Sequence, residues 1–283
     1  MFFVSDVKKN FEEKLNNNFS TSEINSIWKT WVIKEVFQKS LINYYLDGNF
    51  SISMLHHNKI NSLITHLLSN KPIQYFFGYT YFKDLKIKVN KSVLIPRPET
   101  EQLVDIVLNK LNKSSLKNII LDIGTGSGCI SIALKKHIAN PIIAIDVSSE
   151  SMSQAMLNGQ IHNVKIDFKV LDMLIVKNHQ LLPKVDYIVS NPPYVTPLEV
   201  SKYSVVHEEP HHAIFVPDNN PLIFYDFILK FASTNLNIAG KIFFEINPKF
   251  ISKLINMIKQ YGYNNIEIHE DFFEKKRFIV VSS

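Results

Sequence analysis

The rhythm of apolar residues changes three times along the chain. Over the first 75 residues Leu15, Ile24, Ile27, Trp28, Trp31, Val32, Val36 and Phe37 recur at spacings of three and four. That period lines one face of an α-helix. Thr21-Ser22-Glu23 reads as a helix start, with small polar residues ahead of the apolar face. Residues 42–46 and 60–68 continue the pattern, with Gly48 in a turn between them. From 78 to 95 the rhythm becomes alternation. Tyr79-Thr80-Tyr81-Phe82 and Leu85-Lys86-Ile87-Lys88-Val89 read as a β-hairpin turned at Lys83-Asp84. From about 117 onward strand, loop and helix repeat. The predicted strands are 118–123, Ile142–Asp146, 166–171, Val185–Ser190 and 241–246, the signature of a mostly parallel sheet covered by helices. Strand-like runs at 266–269 and 278–281 have no long helix between them, which predicts an antiparallel pair at the sheet edge. The expectation is an α/β fold with a seven-stranded sheet over 97–283. A small all-helical domain at 1–76 and a β-hairpin linker at 77–96 precede it.

Composition narrows the class. The chain of 283 residues is 46% hydrophobic and 20% charged, enough to build a core and to exclude disorder on a large scale. The net charge of +5 is a mild excess that fits a solvated surface and does not call for a nucleic-acid partner. A single cysteine, Cys129, permits no internal disulfide and fits a reducing compartment. The first residues lack the basic start and apolar run of a secretory signal, and no run approaches the roughly 18 apolar residues of a membrane span. A cytoplasmic protein without a membrane partner is expected. Cys129 has no matched histidine or aspartate signature around it and reads as a small buried residue.

Two turns carry candidate chemistry. Leu121-Asp122-Ile123-Gly124-Thr125-Gly126-Ser127-Gly128 follows a strand and opens a helix. Glycines there let the backbone turn tightly against a ligand at the open strand ends. Asp146 ends the next strand, where a carboxylate can accept from two ribose hydroxyls. In a dinucleotide fingerprint G-x-G-x-x-G the third glycine would fall on Cys129, so that pattern is not met. The second turn, Asn191-Pro192-Pro193-Tyr194, follows the apolar strand Val185–Ser190. Two prolines remove two N–H donors and leave the Asn191 side-chain carbonyl and the Pro192 carbonyl as acceptors beside the flat Tyr194 ring. That set suits a planar NH2 group, a poor nucleophile that two acceptors can orient and stabilise as it gains positive charge. The turn alone does not choose between the amide of glutamine and the amine of adenine.

The pattern D-x-G-x-G-x-G resembles the first motif of class I S-adenosylmethionine-dependent methyltransferases. Ser92-Val93-Leu94-Ile95-Pro96-Arg97-Pro98-Glu99-Thr100-Glu101 resembles the segment that marks release factor glutamine methyltransferases. Lys71-Pro72-Ile73-Gln74-Tyr75, Gly78, Phe82 and Glu209-Pro210 also match in order, so the resemblance covers essentially the whole chain. It implies a Rossmann-like methyltransferase domain behind a helical substrate-recognition domain. It implies a cytoplasmic monomer that methylates the glutamine of the Gly-Gly-Gln motif in class I peptide chain release factors. S-adenosyl-L-methionine would be the cofactor and S-adenosyl-L-homocysteine the product, with no metal and no stable nucleic-acid contact. Residue by residue, it places Gly124, Thr125, Gly126, Ser127 and Gly128 on the methionine portion, Asp146 on the ribose, and Asp172 and Met173 near the adenine. It gives Asn191 to both cofactor and substrate, and Pro192, Pro193 and Tyr194 to the substrate amide. Met173 stands where the family has an aromatic residue. His211-His212 and Asp218-Asn219-Asn220-Pro221 also depart from the family pattern. The histidines at 207, 211 and 212 have no well-spaced further ligand and read as a solvated loop. Ribosomal-protein glutamine methylation and adenine-N6 methylation are the alternatives.

Overall fold

The computed structural model describes residues 2–111, 115–201 and 204–282. The chain divides into two compact units, Met1–Phe77 and Gly78–Ser283.

The first unit is helical. Val4–Leu15, Thr21–Ile27, Leu41–Leu46, Met54–Leu68 and Ile73–Phe77 are α-helices. Ser20 caps the second helix in a capping box with Glu23, which satisfies two backbone donors at once. The helix predicted to run through 24–37 is α-helical only to Ile27 and continues as a wider π-helix over Trp28–Val36. The wider turn brings Trp28, Val32, Ile33 and Val36 together into the core beside Phe11, Leu15, Ile60 and Leu63. Trp31 stacks on Phe77 at 4.8 Å between ring centroids. One run departs from the pattern. The short helix Leu41–Leu46 buries nothing, and Ile42, Tyr45 and Leu46 lie exposed with Met54 and Leu55.

In the second unit the hairpin pairs Tyr79–Phe82 with Leu85–Lys88. Lys83 and Asp84 both take positive φ, the backbone of a two-residue turn whose twist matches the strands. Seven strands form the sheet: β1 (Ile120–Ile123), β2 (Ile142–Asp146), β3 (Asp167–Val170), β4 (Val185–Ser190), β5 (Leu236–Glu245), β6 (Asn265–Glu270) and β7 (Lys276–Ser282). Their order is β6-β7-β5-β4-β1-β2-β3. β1 to β5 are parallel, and β7 is antiparallel to both β5 and β6. β5 starts five residues before the predicted 241, through an irregularity that shifts register between Val185 and Tyr187. The helices α1 (Pro98–Lys110), α2 (Cys129–His137), α3 (Ser149–Ile161), α4 (Ile223–Asn235) and α5 (Ile251–Gln260) accompany the sheet. The hairpin lies along α3. The Lys88 N–H donates to Asn158 Oδ1 at 2.8 Å, Asn158 Nδ2 donates back to the Lys88 carbonyl at 2.9 Å, and Asn90 bonds Gln154.

The chain order reverses between β1 and β4, the point where open α/β sheets place ligands. Ile123 and Ser190 are directly paired there, and the Ser190 hydroxyl donates to the Ile123 carbonyl at 2.7 Å. The glycine turn and the Asn-Pro-Pro-Tyr turn therefore leave the sheet side by side. No described helix is long and apolar enough to cross a membrane.

Candidate active site

The glycine turn is held by its own neighbours. The Gly124 and Thr125 N–H groups donate to the Ile145 carbonyl at 2.9 and 3.0 Å. The Gly126 N–H donates to Asp146 Oδ2 at 2.9 Å, and the Ser148 N–H donates to Oδ1 at 3.0 Å. Each Asp146 oxygen keeps a lone pair for a ligand hydroxyl. Gly124, Gly126 and Gly128 all have positive φ. At Gly128 a Cβ would stand 3.2 Å from the Ala155 and Ile132 side chains, so helix packing demands glycine there. At Gly124 and Gly126 a Cβ would meet nothing within 4 Å. There the bare backbone forms the wall of a cavity of about 270 Å³. Asp146, Val147, Leu171, Asp172 and Met173 line its other side. The cavity thus has the glycine turn on one side and the mostly apolar stretch Leu171 to Leu174 on another.

Beneath the turn, Asp122 is fully buried. Its Oδ2 accepts from the Thr125 and Ser131 hydroxyls at 2.7 and 2.6 Å. Its Oδ1 has no partner among the described residues. Burial pushes its carboxyl up to about 6. Burial likewise pushes the Cys129 thiol up to about 12, which leaves it an inert packing group.

The Asn-Pro-Pro-Tyr turn is held by residues far away in sequence. Asn191 Nδ2 donates to Thr100 Oγ1 at 3.1 Å. Thr100 donates to Glu245 Oε2 at 2.7 Å, and the Tyr194 hydroxyl donates to Glu245 Oε1 at 2.9 Å. Glu245 ends β5 beside β4 and is 1% exposed, and Thr100 is 2% exposed. Burial raises the Glu245 carboxyl above its ordinary value and raises the Tyr194 hydroxyl as well. Because Thr100 gives its proton to a carboxylate oxygen, its own oxygen can only accept from Asn191. That direction fixes the amide. The Asn191 Oδ1, with no partner among the described residues, is the atom left to a ligand.

A second cavity, of about 200 Å³, lies against the first. Asn191, Pro192, Pro193, Leu94 and Ala213 line both. Arg97 and Val206 belong to the second alone. The buried Glu209 carboxylate accepts from Arg97 Nη2 and from the Ile95 N–H at 3.0 Å. This ties the loop at 209–214 to the segment before α1. A buried charge needs such partners.

The chain has relatives. A family model described as the methyltransferase small domain matches residues 100–213. The release factor glutamine methyltransferase of Flavobacterium psychrophilum is 37% identical over 285 residues, covering 99% of this chain and 99% of that one. The chain belongs to the release factor glutamine methyltransferase family. A further member, from Bacteroides thetaiotaomicron, is 36% identical over 244 residues, with 85% and 86% of the two chains covered. The crystal structure of a methyltransferase from Pyrococcus furiosus aligns with a TM-score of 0.51 at 17% identity, over 77% of this chain and 96% of that one. That likeness concerns the fold. This member of the family is a methyltransferase with a mostly parallel seven-stranded sheet.

Most of the residues singled out in the sequence fall around the two cavities, whereas Gly128, packed against Ala155 and Ile132, lines neither. Gly124, Gly126, Asp146, Asp172, Met173, Asn191, Pro192 and Pro193 line the first. Thr125 and Ser127 are buried beneath the turn rather than lining it. Tyr194 lines the second cavity. Met173 is buried, and its carbonyl bonds the ring of His179 at 2.8 Å. His212 lines the first cavity, whereas His207 and His211 pack on Phe215. Among the described residues no group of three or more His, Cys, Asp or Glu is placed to hold a metal. Sequence reasoning missed Glu245 and the part played by Thr100. A signal existed: Glu245 is a lone carboxylate inside the apolar run Ile242-Phe243-Phe244-Glu245-Ile246.

Proposed function

We propose that this chain transfers a methyl group from S-adenosylmethionine to the side-chain amide nitrogen of the Gly-Gly-Gln glutamine in a class I peptide chain release factor. The orientation of Asn191 between two adjoining cavities carries the reading. Its Nδ2 is held by Thr100, so Oδ1 and the Pro192 carbonyl present two acceptors with no donor between them, the complement of an NH2 group. When bound, S-adenosylmethionine supplies an electrophilic methyl on sulfur. The glycine turn would hold its methionine end, Asp146 its ribose, and the slot at Asp172 and Met173 its adenine; the bare backbone at Gly124 and Gly126 leaves room for it.

The protein's part is orientation and charge. Asn191 Oδ1 and the Pro192 carbonyl accept the two amide N–H bonds and turn the nitrogen toward the methyl. They stabilise positive charge as it develops on nitrogen. The extra proton leaves after the N–C bond has formed, so no base is required before attack. Pro193 stiffens the turn, and the Tyr194 ring, anchored on Glu245, flanks the planar group. The helical unit would recognise the release factor; its exposed Ile42, Tyr45, Leu46, Met54 and Leu55 offer an apolar surface for that. We place a monomer in the cytoplasm, acting on protein without metal or stable nucleic-acid contact.

The test is a transfer assay with methyl-labelled cofactor and a release factor whose Gly-Gly-Gln glutamine is intact or replaced by alanine. Label on the intact factor alone is expected. Equal labelling of both would sink the assignment.

A further inference from the structure

We propose that Glu245 is a positioning residue that, through Thr100, sets which end of the Asn191 amide faces the substrate. The inference rests on the role given to Asn191 above and goes beyond it.

An asparagine amide is nearly symmetric in shape, so packing alone does not decide which end points where. Its orientation must be imposed by a partner with a fixed hydrogen-bond direction. Threonine does not supply one by itself, because its hydroxyl both donates and accepts. Glu245 does, because both its oxygens accept hydroxyl protons and so act only as acceptors here. Its Oε2 takes the Thr100 proton at 2.7 Å, which leaves Thr100 an acceptor toward Asn191 Nδ2 at 3.1 Å. Its Oε1 takes the Tyr194 proton at 2.9 Å. Both oxygens thus receive hydroxyl protons, and the direction runs one way from Asn191 to Glu245. All four groups are partly or fully buried, so solvent does not readily replace a lost partner.

Replacing the carboxylate with an amide reverses this logic. In Glu245→Gln the new NH2 can face either Tyr194 or Thr100. Facing Tyr194, the NH2 would displace the proton that this hydroxyl gives to Oε1, and the nearby Arg277 guanidinium, which only donates, cannot take that proton. Facing Thr100 satisfies every group. Thr100 then accepts from the glutamine and donates to Asn191. That requires Asn191 to turn Oδ1 inward and offer its NH2 to the ligand. Two NH2 groups would meet where an acceptor is needed.

The experiment uses the full chain, a release factor as substrate, and four proteins: wild type, Glu245→Gln, Thr100→Val and Thr100→Ser. For Glu245→Gln and Thr100→Val, kcat should fall about tenfold or more, the order expected for losing one hydrogen bond in a buried network. The KM for the release factor and the affinity for S-adenosylhomocysteine should stay within about twofold, because neither residue lines the cofactor cavity. Thr100→Ser keeps the relay and should recover most of the kcat lost in Thr100→Val.

A second readout needs no substrate. The side-chain amide signal of Asn191 in nitrogen-15 nuclear magnetic resonance, assigned through Asn191→Gln, should move in Glu245→Gln and Thr100→Val. The signals of Asn140 and Asn158, buried elsewhere in the same unit, should stay. Wild-type kcat in both variants, a Thr100→Ser as slow as Thr100→Val, or an unmoved Asn191 signal would each overturn the proposal. Should Glu245→Gln shift all three signals, the Thr100 pair decides. If wild type labels no release factor, the glutamine reading falls, and the Asn191 signal alone decides the positioning role.

Discussion

The two turns at the switch point stand side by side and are held in opposite ways. The glycine turn is fixed locally. Its backbone bonds to Ile145 and Asp146, about 20 residues away in sequence, and its buried carboxylate Asp122 bonds Thr125 and Ser131 within nine residues. The Asn-Pro-Pro-Tyr turn is fixed from a distance. Asn191 reaches Thr100 across 91 residues, Thr100 reaches Glu245 across 145, and Tyr194 reaches Glu245 across 51. The first turn presents backbone, which any sequence with glycines in register can supply. The second presents a side-chain amide whose direction matters, and only a tertiary network sets that direction. On the proposed reading, binding the cofactor and orienting the nucleophile are thus separable properties of two neighbouring strand ends.

Substitutions can break that separation. The largest effect is expected at Asn191. Asn191→Ala removes an acceptor aimed at the developing charge, and turnover should fall on the order of a hundredfold or more. Affinity for S-adenosylhomocysteine, measured by calorimetric titration, should change only a few-fold. Unchanged turnover would rule out the role given to Asn191, and a parallel collapse of both would deny that the turns act separately. Asp146→Ala should show the reverse split. Losing the charge-assisted bond to the Gly126 N–H and the ribose contact proposed for Asp146 should weaken the cofactor roughly tenfold to a hundredfold. The kcat at saturating cofactor should fall less than in Asn191→Ala. A kcat loss exceeding the affinity loss would contradict the division.

The same contrast explains what could be read in advance. Strand–loop–helix rhythm and the D-x-G-x-G-x-G spacing are local, and local pattern located the glycine turn, Asp146 and the sheet that carries them. The hairpin turn at Lys83-Asp84 was legible for the same reason. Thr100 and Glu245 were not, because no spacing relates residues 145 apart. Only strand order shows that the end of β5 lies next to the end of β4. Met173 could be placed near the cavity but not assigned a contact, since a thioether carries no directional signature. The exposure of Ile42, Tyr45 and Leu46 was also hidden. Apolar periodicity marks a face but not whether that face meets the core.

Asp122 gives the smallest effect and the sharpest sign. Its folded value, about 6, lies above the ordinary 3.8 because burial disfavours the charged form, with the nearby Asp146 adding to the rise. A raised folded value means that the native state binds the proton more tightly than the unfolded chain does. Its favourable contribution is complete below about 3.8 and is lost as pH rises through about 6. Between pH 5 and 7.5 the loss should be on the order of 1 kcal/mol, a few degrees in Tm for a domain of this size. Asp122→Asn removes that titration. Its own Tm at any one pH is set by how well an amide fits among Thr125 and Ser131, so the informative quantity is the slope. The wild-type Tm should fall more steeply than that of Asp122→Asn over this window in calorimetric scans. Parallel slopes would mean that Asp122 does not titrate between pH 5 and 7.5, and would overturn this account. Glu245 differs here because both its oxygens accept hydroxyl protons. The same pH scan on Glu245→Gln would therefore show whether a raised carboxylate with two donors behaves like one whose second oxygen has none.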